Sequence, residues 1–171
     1  HSYTDTDPTA DRHCHTDRQC NANPNSHTNS NLDANPLADA FRKLIFVSSI
    51  SYNGNLGGLS GADQKCQSLA TQAGLPGTFR AWLSDNTVSA YTRIPHSTLP
   101  YQRVDGVIIA NNWTDLTDGS LSAPIIITEY GTLVSGSNVW TNTTYSGSIA
   151  SSTNSCTNWG STSGQGVRGQ N

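Results

Sequence analysis

The chain has 171 residues, of which 12% are charged and 34% hydrophobic, with a formal net charge of −3. That length gives one domain with room for a core. Its nine Lys and Arg form no basic stripe, which excludes a nucleic-acid or strongly anionic partner, and with no run of 18 apolar residues the chain predicts no membrane span.

Residues 1–41 are rich in Asp, Asn, Thr, Pro and His and carry six acids against two Arg. So few large apolar side chains cannot offset the ordering entropy of the backbone, so this tract predicts disorder. His13-Cys14-His15 with Cys20 presents zinc-ligand types, but the spacing fits no standard finger, and neither a metal nor a cofactor is expected. Asn23–Asn31 also reads as a Thr-Pro repeat one base out of frame, the composition of a semi-extended stalk. The alternative is a genuine polar linker. The chain opens on His rather than Met and reads as a fragment or processed product.

From residue 42 onward the four tryptophans and most aliphatics appear, and the charges nearly balance, with seven bases against six acids. Leu44–Val47 reads as a buried strand. Tyr52–Gly58 is a glycine-rich loop lacking the Lys and the spacing of a phosphate cradle. Ser60 and Asp63 then form a capping-box pattern, with the carboxylate reaching back to a free amide. Ala62, Cys66, Leu69, Ala70 and Ala73 make one apolar stripe at helical period. Gly74 suits the left-handed position after the helix, and Pro76-Gly77 signals a turn. Phe79, Ala81 and Leu83 alternate with Arg80, Trp82 and Ser84, as in a strand.

Gly58–Ala62 nearly matches a nucleophile elbow, but Ala replaces the last Gly and no hydrophobic strand leads into it. A Ser60–His96–Asp triad is therefore only a remote serine-hydrolase alternative. Tyr101–Ala110 reads as a hairpin around Asp105-Gly106. Asp115 and Asp118 lack calcium-loop spacing, and Asp118-Gly119 reads as a turn. Pro124–Thr128 and Val139-Trp140 read as further short strands. Trp113 and Trp159 read as core residues rather than sugar-stacking platforms. One early helix, many short strands and long polar loops predict an α+β domain with loop-borne binding.

The segment Gly61–Ser84 resembles the matching part of the endostatin-like domain family. Ile45–Ser48 and Tyr52–Gly58 are similar to its bacterial branch, the Leptospira endostatin-like surface lipoproteins. Asn111–Leu116 with Gly119-Ser120, Val139-Trp140, Gly147, Cys156–Trp159 and Ser163–Gly166 carry the resemblance across roughly residues 44–171. It implies a C-type-lectin-like fold in a non-enzymatic, secreted or surface-displayed bacterial module. The branch implies binding to extracellular-matrix proteins such as laminin and fibronectin, or to complement regulators; a lectin-like carbohydrate binder is the alternative.

The resemblance also makes Cys66 and Cys156 the first two of four cysteines in a nested disulfide pair (first to fourth, second to third). The later two would follow Asn171, so residues 42–171 read as a C-terminally truncated domain with two unpartnered structural cysteines. In the alternative, these two cysteines pair in a complete smaller domain. Heparin binding does not carry over, because the clustered Arg it requires are absent.

Overall fold

The computed structural model describes residues 42–134 and 138–170. The expected polar tract 1–41, with its His13-Cys14-His15 and Cys20, lies outside the described residues. The remainder is a small α+β structure. Strand β1 (Lys43–Ile45) leads to helix α1 (Gly58–Gln72) and a one-turn helix α2 (Ala90–Arg93). Strands β2 (Tyr101–Arg103) and β3 (Ile108–Ala110), the short helix α3 (Trp113–Leu116), and strands β4 (Asn138–Trp140) and β5 (Arg168–Gln170) follow. The first three strands form one sheet, β1 parallel and β3 antiparallel to β2, and β4 pairs with β5 antiparallel in a second.

Helix α1 follows the predicted stripe, with Ala62, Leu69 and Ala70 buried. Its end also follows the prediction. Gly74 takes a left-handed φ of 71°, its N–H reaches Thr71 O at 3.1 Å, and Leu75 N–H reaches Ala70 O at 2.9 Å, the paired bonds of a Schellman stop. Its start differs from the prediction. The helix begins two residues before Ser60, behind a left-handed Gly57, with no side-chain cap. The N–H groups of Leu56 and Gly57 converge on Trp159 O at 2.8 and 3.0 Å, so a carbonyl about 100 residues away fixes the approach to α1.

Asp63 does not reach back along α1. Its carboxylate accepts Ala81 N–H at 2.9 Å and Arg93 Nη2 at 2.6 Å. Gln67 Oε1 accepts Phe79 N–H at 2.8 Å, and Arg93 Nη1 donates to Ala81 O at 2.6 Å. The predicted strand at Phe79–Ser84 does not form: the segment belongs to neither sheet, and side chains of α1 and α2 take up its N–H and C=O groups where a ladder partner would stand. Its alternation still sorts the core. Ala81 and Leu83 pack with Leu56, Ala62, Cys156 and Trp159, whereas Trp82 packs with Tyr101, Ile109, Ala110 and Trp113. The segment is the wall between two apolar clusters, and each large side chain buried there is worth roughly 1.5–3 kcal/mol.

The hairpin around Asp105-Gly106 forms as predicted. Arg103 clamps Asp105 with Nε at 3.0 Å and Nη2 at 2.6 Å, and this hydrogen bonding holds the Asp105 carboxyl below its ordinary range. Val139-Trp140 lies in β4 as expected. Pro124–Thr128 is not a ladder strand. Ile127 and Thr128 make single bridges to Leu133 and Val47, in a tight turn anchored where Glu129 accepts the N–H and O–H of Ser49.

Cys156–Trp159 forms one turn in which all four residues have positive φ, between 49° and 59°. Left-handed backbone costs L-residues about 1–2 kcal/mol each. The turn is held by Trp159 N–H to Ser155 O (2.6 Å), Cys156 N–H to Gln165 O (2.9 Å) and Asn86 N–H to Asn158 Oδ1 (3.1 Å). Thr157 is exposed and β-branched there, so Thr157→Gly is expected to stabilise the domain by about 1 kcal/mol. A urea midpoint at or below the parent's would contradict this account.

Candidate functional site

An aromatic face is assembled from three loops. Ser89 caps α2 by accepting Thr92 N–H at 3.2 Å, and Ala90 N–H is held by the buried Ser84 Oγ at 2.9 Å. This fixes Tyr91, whose N–H donates to Gly147 O at 2.8 Å and whose side chain stays 48% exposed. The Tyr91 ring meets the edge of His96 at 4.4 Å, and His96 stacks on Trp113 at 4.0 Å with an interplanar angle of 12°. Nε2 of His96 is 2.8 Å from Tyr91 O, so the exposed imidazole is pinned at both ring and nitrogen.

Trp113 is buried and opens α3, where Asn112 Oδ1 accepts Asp115 N–H at 3.0 Å and Asp115 Oδ2 accepts Asn111 N–H at 2.6 Å. The side-chain cap expected at Ser60 is found here at Asn112 instead, although Asp115 reaches back past the cap to Asn111 rather than to the cap's own amide. Asp118 Oδ1 accepts Ser120 N–H at 2.8 Å, forming the predicted turn at Gly119. The ring of Tyr145 covers that glycine, about 3.4 Å from where a Cβ would stand, and is 70% exposed. Tyr145 is two residues before Gly147, which closes the circuit back to Tyr91.

The loop bearing Tyr145 is locked from beneath. The buried Asn142 amide donates to Ser151 O at 2.9 Å and accepts Ser151 N–H at 3.0 Å. Ser84 Oγ and Thr143 Oγ1 lie 2.8 Å apart, and Thr144 N–H donates to Ser148 O at 2.9 Å. Tyr91, His96 and Tyr145 therefore stand on loops tied into the domain by these hydrogen bonds, while the buried Nε1 of Trp113 has no partner among the described residues. Their surroundings are Ser, Thr, Asn and Gly, with few charges.

A separate open groove of about 630 Å³ runs along the start of α1, lined by residues that include Tyr52, Leu56, Ser60, Gln64 and Lys65. Lys65 Nζ lies 5.4 Å from the Tyr52 ring centre. No His, Asp or Glu lines this groove, and among the described residues no hydrogen bond joins Ser60 to His96. The structure thus leaves the two residues of the hydrolase alternative in different surroundings. Asp115 and Asp118 are committed to backbone N–H groups, and among the described residues no three His, Cys, Asp or Glu gather to hold a metal.

Cys66 and Cys156 are both free thiols. The alternative in which they pair with each other is therefore not what the structure has. Cys156 is buried, and a Cβ on Gly54 would collide with its Sγ. Burial pushes the Cys66 thiol up from 9.0 to about 11, with Asp63 adding and Arg93 opposing. The native state then holds this proton where the unfolded chain releases it. Stability is expected to fall as pH rises from about 9 through 11, with Cys66 slow toward thiol reagents below that window. Thiol labelling against pH checks this, and rapid labelling at pH 8 would contradict it.

Sequence reasoning missed Tyr91 and Tyr145. Only Tyr145 had a signal, as an isolated Tyr within Thr143-Thr144-Tyr145-Ser146 two residues before Gly147; Tyr91, between Ala90 and Thr92, had none. A family described as "Protein of unknown function (DUF1554)" matches residues 49–171. No curated protein matches the chain. Among the described residues no helix is long and apolar enough to cross a membrane.

Proposed function

The chain belongs to the DUF1554 family, and we propose that it is a non-enzymatic binding module, secreted or displayed on a bacterial surface, that holds an extracellular protein through its aromatic loop face. The endostatin-like, C-type-lectin-like character and an adhesive, matrix-binding role belong to the same proposal. One observation carries it. Exposed Tyr91, His96 and Tyr145 sit on hydrogen-bonded loops rich in Ser, Thr, Asn and Gly. This is the chemistry of a paratope, where rigid amphipathic rings give contact area at low entropy cost and small polar neighbours adapt.

The test is binding to immobilised matrix proteins such as laminin and fibronectin. Tyr145→Ala and Tyr91→Ala are each expected to weaken binding about 30-fold, the effect of a hot-spot side chain worth about 2 kcal/mol. Circular dichroism should not change for Tyr145→Ala, because the ring is largely in solvent. Binding should survive chelator and change little with salt, since the face carries few charges. Undiminished binding by both variants would remove the reading. Competition by free sugar or a calcium requirement would replace it with the carbohydrate alternative, and turnover lost in Ser60→Ala would replace it with the hydrolase.

A further inference from the structure

The two ring nitrogens of His96 are not equivalent. Nε2 lies 2.8 Å from Tyr91 O. A carbonyl oxygen only accepts, so Nε2 carries the proton of that bond. In the neutral imidazole Nδ1 is then a bare lone pair. Among the described residues nothing donates to it, and His96 is exposed.

The neighbouring indole does not fill that role. Trp113 Nε1 is also without a partner among the described residues, but the two rings lie 12° from parallel at 4.0 Å. An indole N–H and an imidazole lone pair each point in the plane of their own ring, so in a stack they miss each other. The ring is also held the right way round. A half-turn would put a carbon against Tyr91 O and lose that bond, between the stacked face on Trp113 and the Tyr91 ring set at 66° to it.

The aromatic face therefore has one polar group of fixed sign. The phenols of Tyr91 and Tyr145 donate or accept alike and set no preference, whereas Nδ1 only accepts. A carboxylate or carbonyl brought there sets acceptor against acceptor. A Lys or Arg gives up hydration against surroundings with few charges. An uncharged N–H or O–H meets neither penalty.

We propose that His96, through Nδ1, selects a partner that presents an uncharged donor at this face: a backbone amide, or the side chain of Asn, Gln, Ser or Thr. This inference rests on the binding role proposed above and adds the chemistry of the group that docks.

The test has two parts. The first is nitrogen-15 NMR of the neutral imidazole in the free full chain, with the His96 signals identified by their loss in His96→Gln. The proton is expected on Nε2, and a proton on Nδ1 would overturn the proposal. The second is binding to immobilised laminin and fibronectin. His96→Gln places an amide close to Nε2, so it still donates to Tyr91 O but offers no acceptor at the Nδ1 position. It is expected to weaken binding about 10-fold, the loss of one hydrogen bond. His96→Asn brings its Oδ1 close to the Nδ1 position and is expected to bind within about 3-fold of the parent. Both variants lose the ring, so the difference between them isolates the acceptor. Equal affinities for the two, or a glutamine variant as tight as the parent, would overturn the selection and leave the binding role standing. A parent chain that binds neither protein would remove the binding role itself, and this inference with it.

Discussion

Trp159→Ala is expected to remove about 4 kcal/mol of stability, within the 3–5 kcal/mol that Trp truncations cost in cores. The indole is fully buried in the cluster of Leu56, Ala62, Leu83 and Cys156, and its Nε1 donates to Ser84 O at 2.8 Å. Truncation opens a cavity and also leaves that carbonyl without its donor. Trp159→Phe separates the two effects, since it retains most of the packing and should cost about 1–2 kcal/mol for the lost bond. Against a typical total of about 5–15 kcal/mol, the alanine variant should be close to unfolded at moderate temperature. Urea unfolding checks both. A loss under 1 kcal/mol for the alanine variant would mean that the cluster does not depend on this ring.

The second large effect is expected at Asp63. Asp63→Ala removes the partner of Arg93 and the acceptor of Ala81 N–H together. Breaking a buried pair costs roughly 3–5 kcal/mol, because the remaining charge is stranded. Here the Arg93 side chain is 9% exposed and that of Asp63 is 26%, so the lower end, about 3 kcal/mol, is expected. Asp63→Asn keeps an acceptor for Ala81 and should cost less. The double variant Asp63→Ala with Arg93→Ala should cost less than the sum of the single changes, since the two share one interaction. Strict additivity in that cycle would show that the pair acts as two independent groups.

These two residues also mark where the sequence is readable and where it is not. The stripe from Ala62 to Ala73 and the Gly74 stop are local signals, and both are found. So are the Asp105-Gly106 hairpin and the alternation from Phe79 to Ser84. Asp63 carries the same local signature as a capping box, yet an arginine 30 residues on and an amide 18 residues on claim its carboxylate. Tertiary partners outweigh a cap worth about 1 kcal/mol. For Phe79–Ser84, alternation reveals the two faces but not whether the amides meet a neighbouring strand or side chains. The left-handed turn at Cys156–Trp159 has no sequence mark at all, because none of its residues is glycine. At the candidate site, Trp113 is legible as core, but Tyr91 and Tyr145 look like any other tyrosine until the loops carrying them are placed.

The ties that hold the domain together also bear on how it is reached from the unfolded chain. Trp140 Nε1 bonds Tyr52 O across 88 residues, Ser49 bonds Glu129 across 80, and Trp159 bonds Ser84 across 75. Loop-closure entropy is spent before such contacts give any return, so chains dominated by distant pairings fold in milliseconds to seconds rather than microseconds. Helix α1 can form early from its own sequence, but the wall at Phe79–Ser84 must wait until the last quarter of the chain arrives. On a ribosome, the emerging chain would hold the apolar side of α1 and the tryptophans unshielded until Trp159 has been made. Until then those exposed surfaces leave the chain open to aggregation.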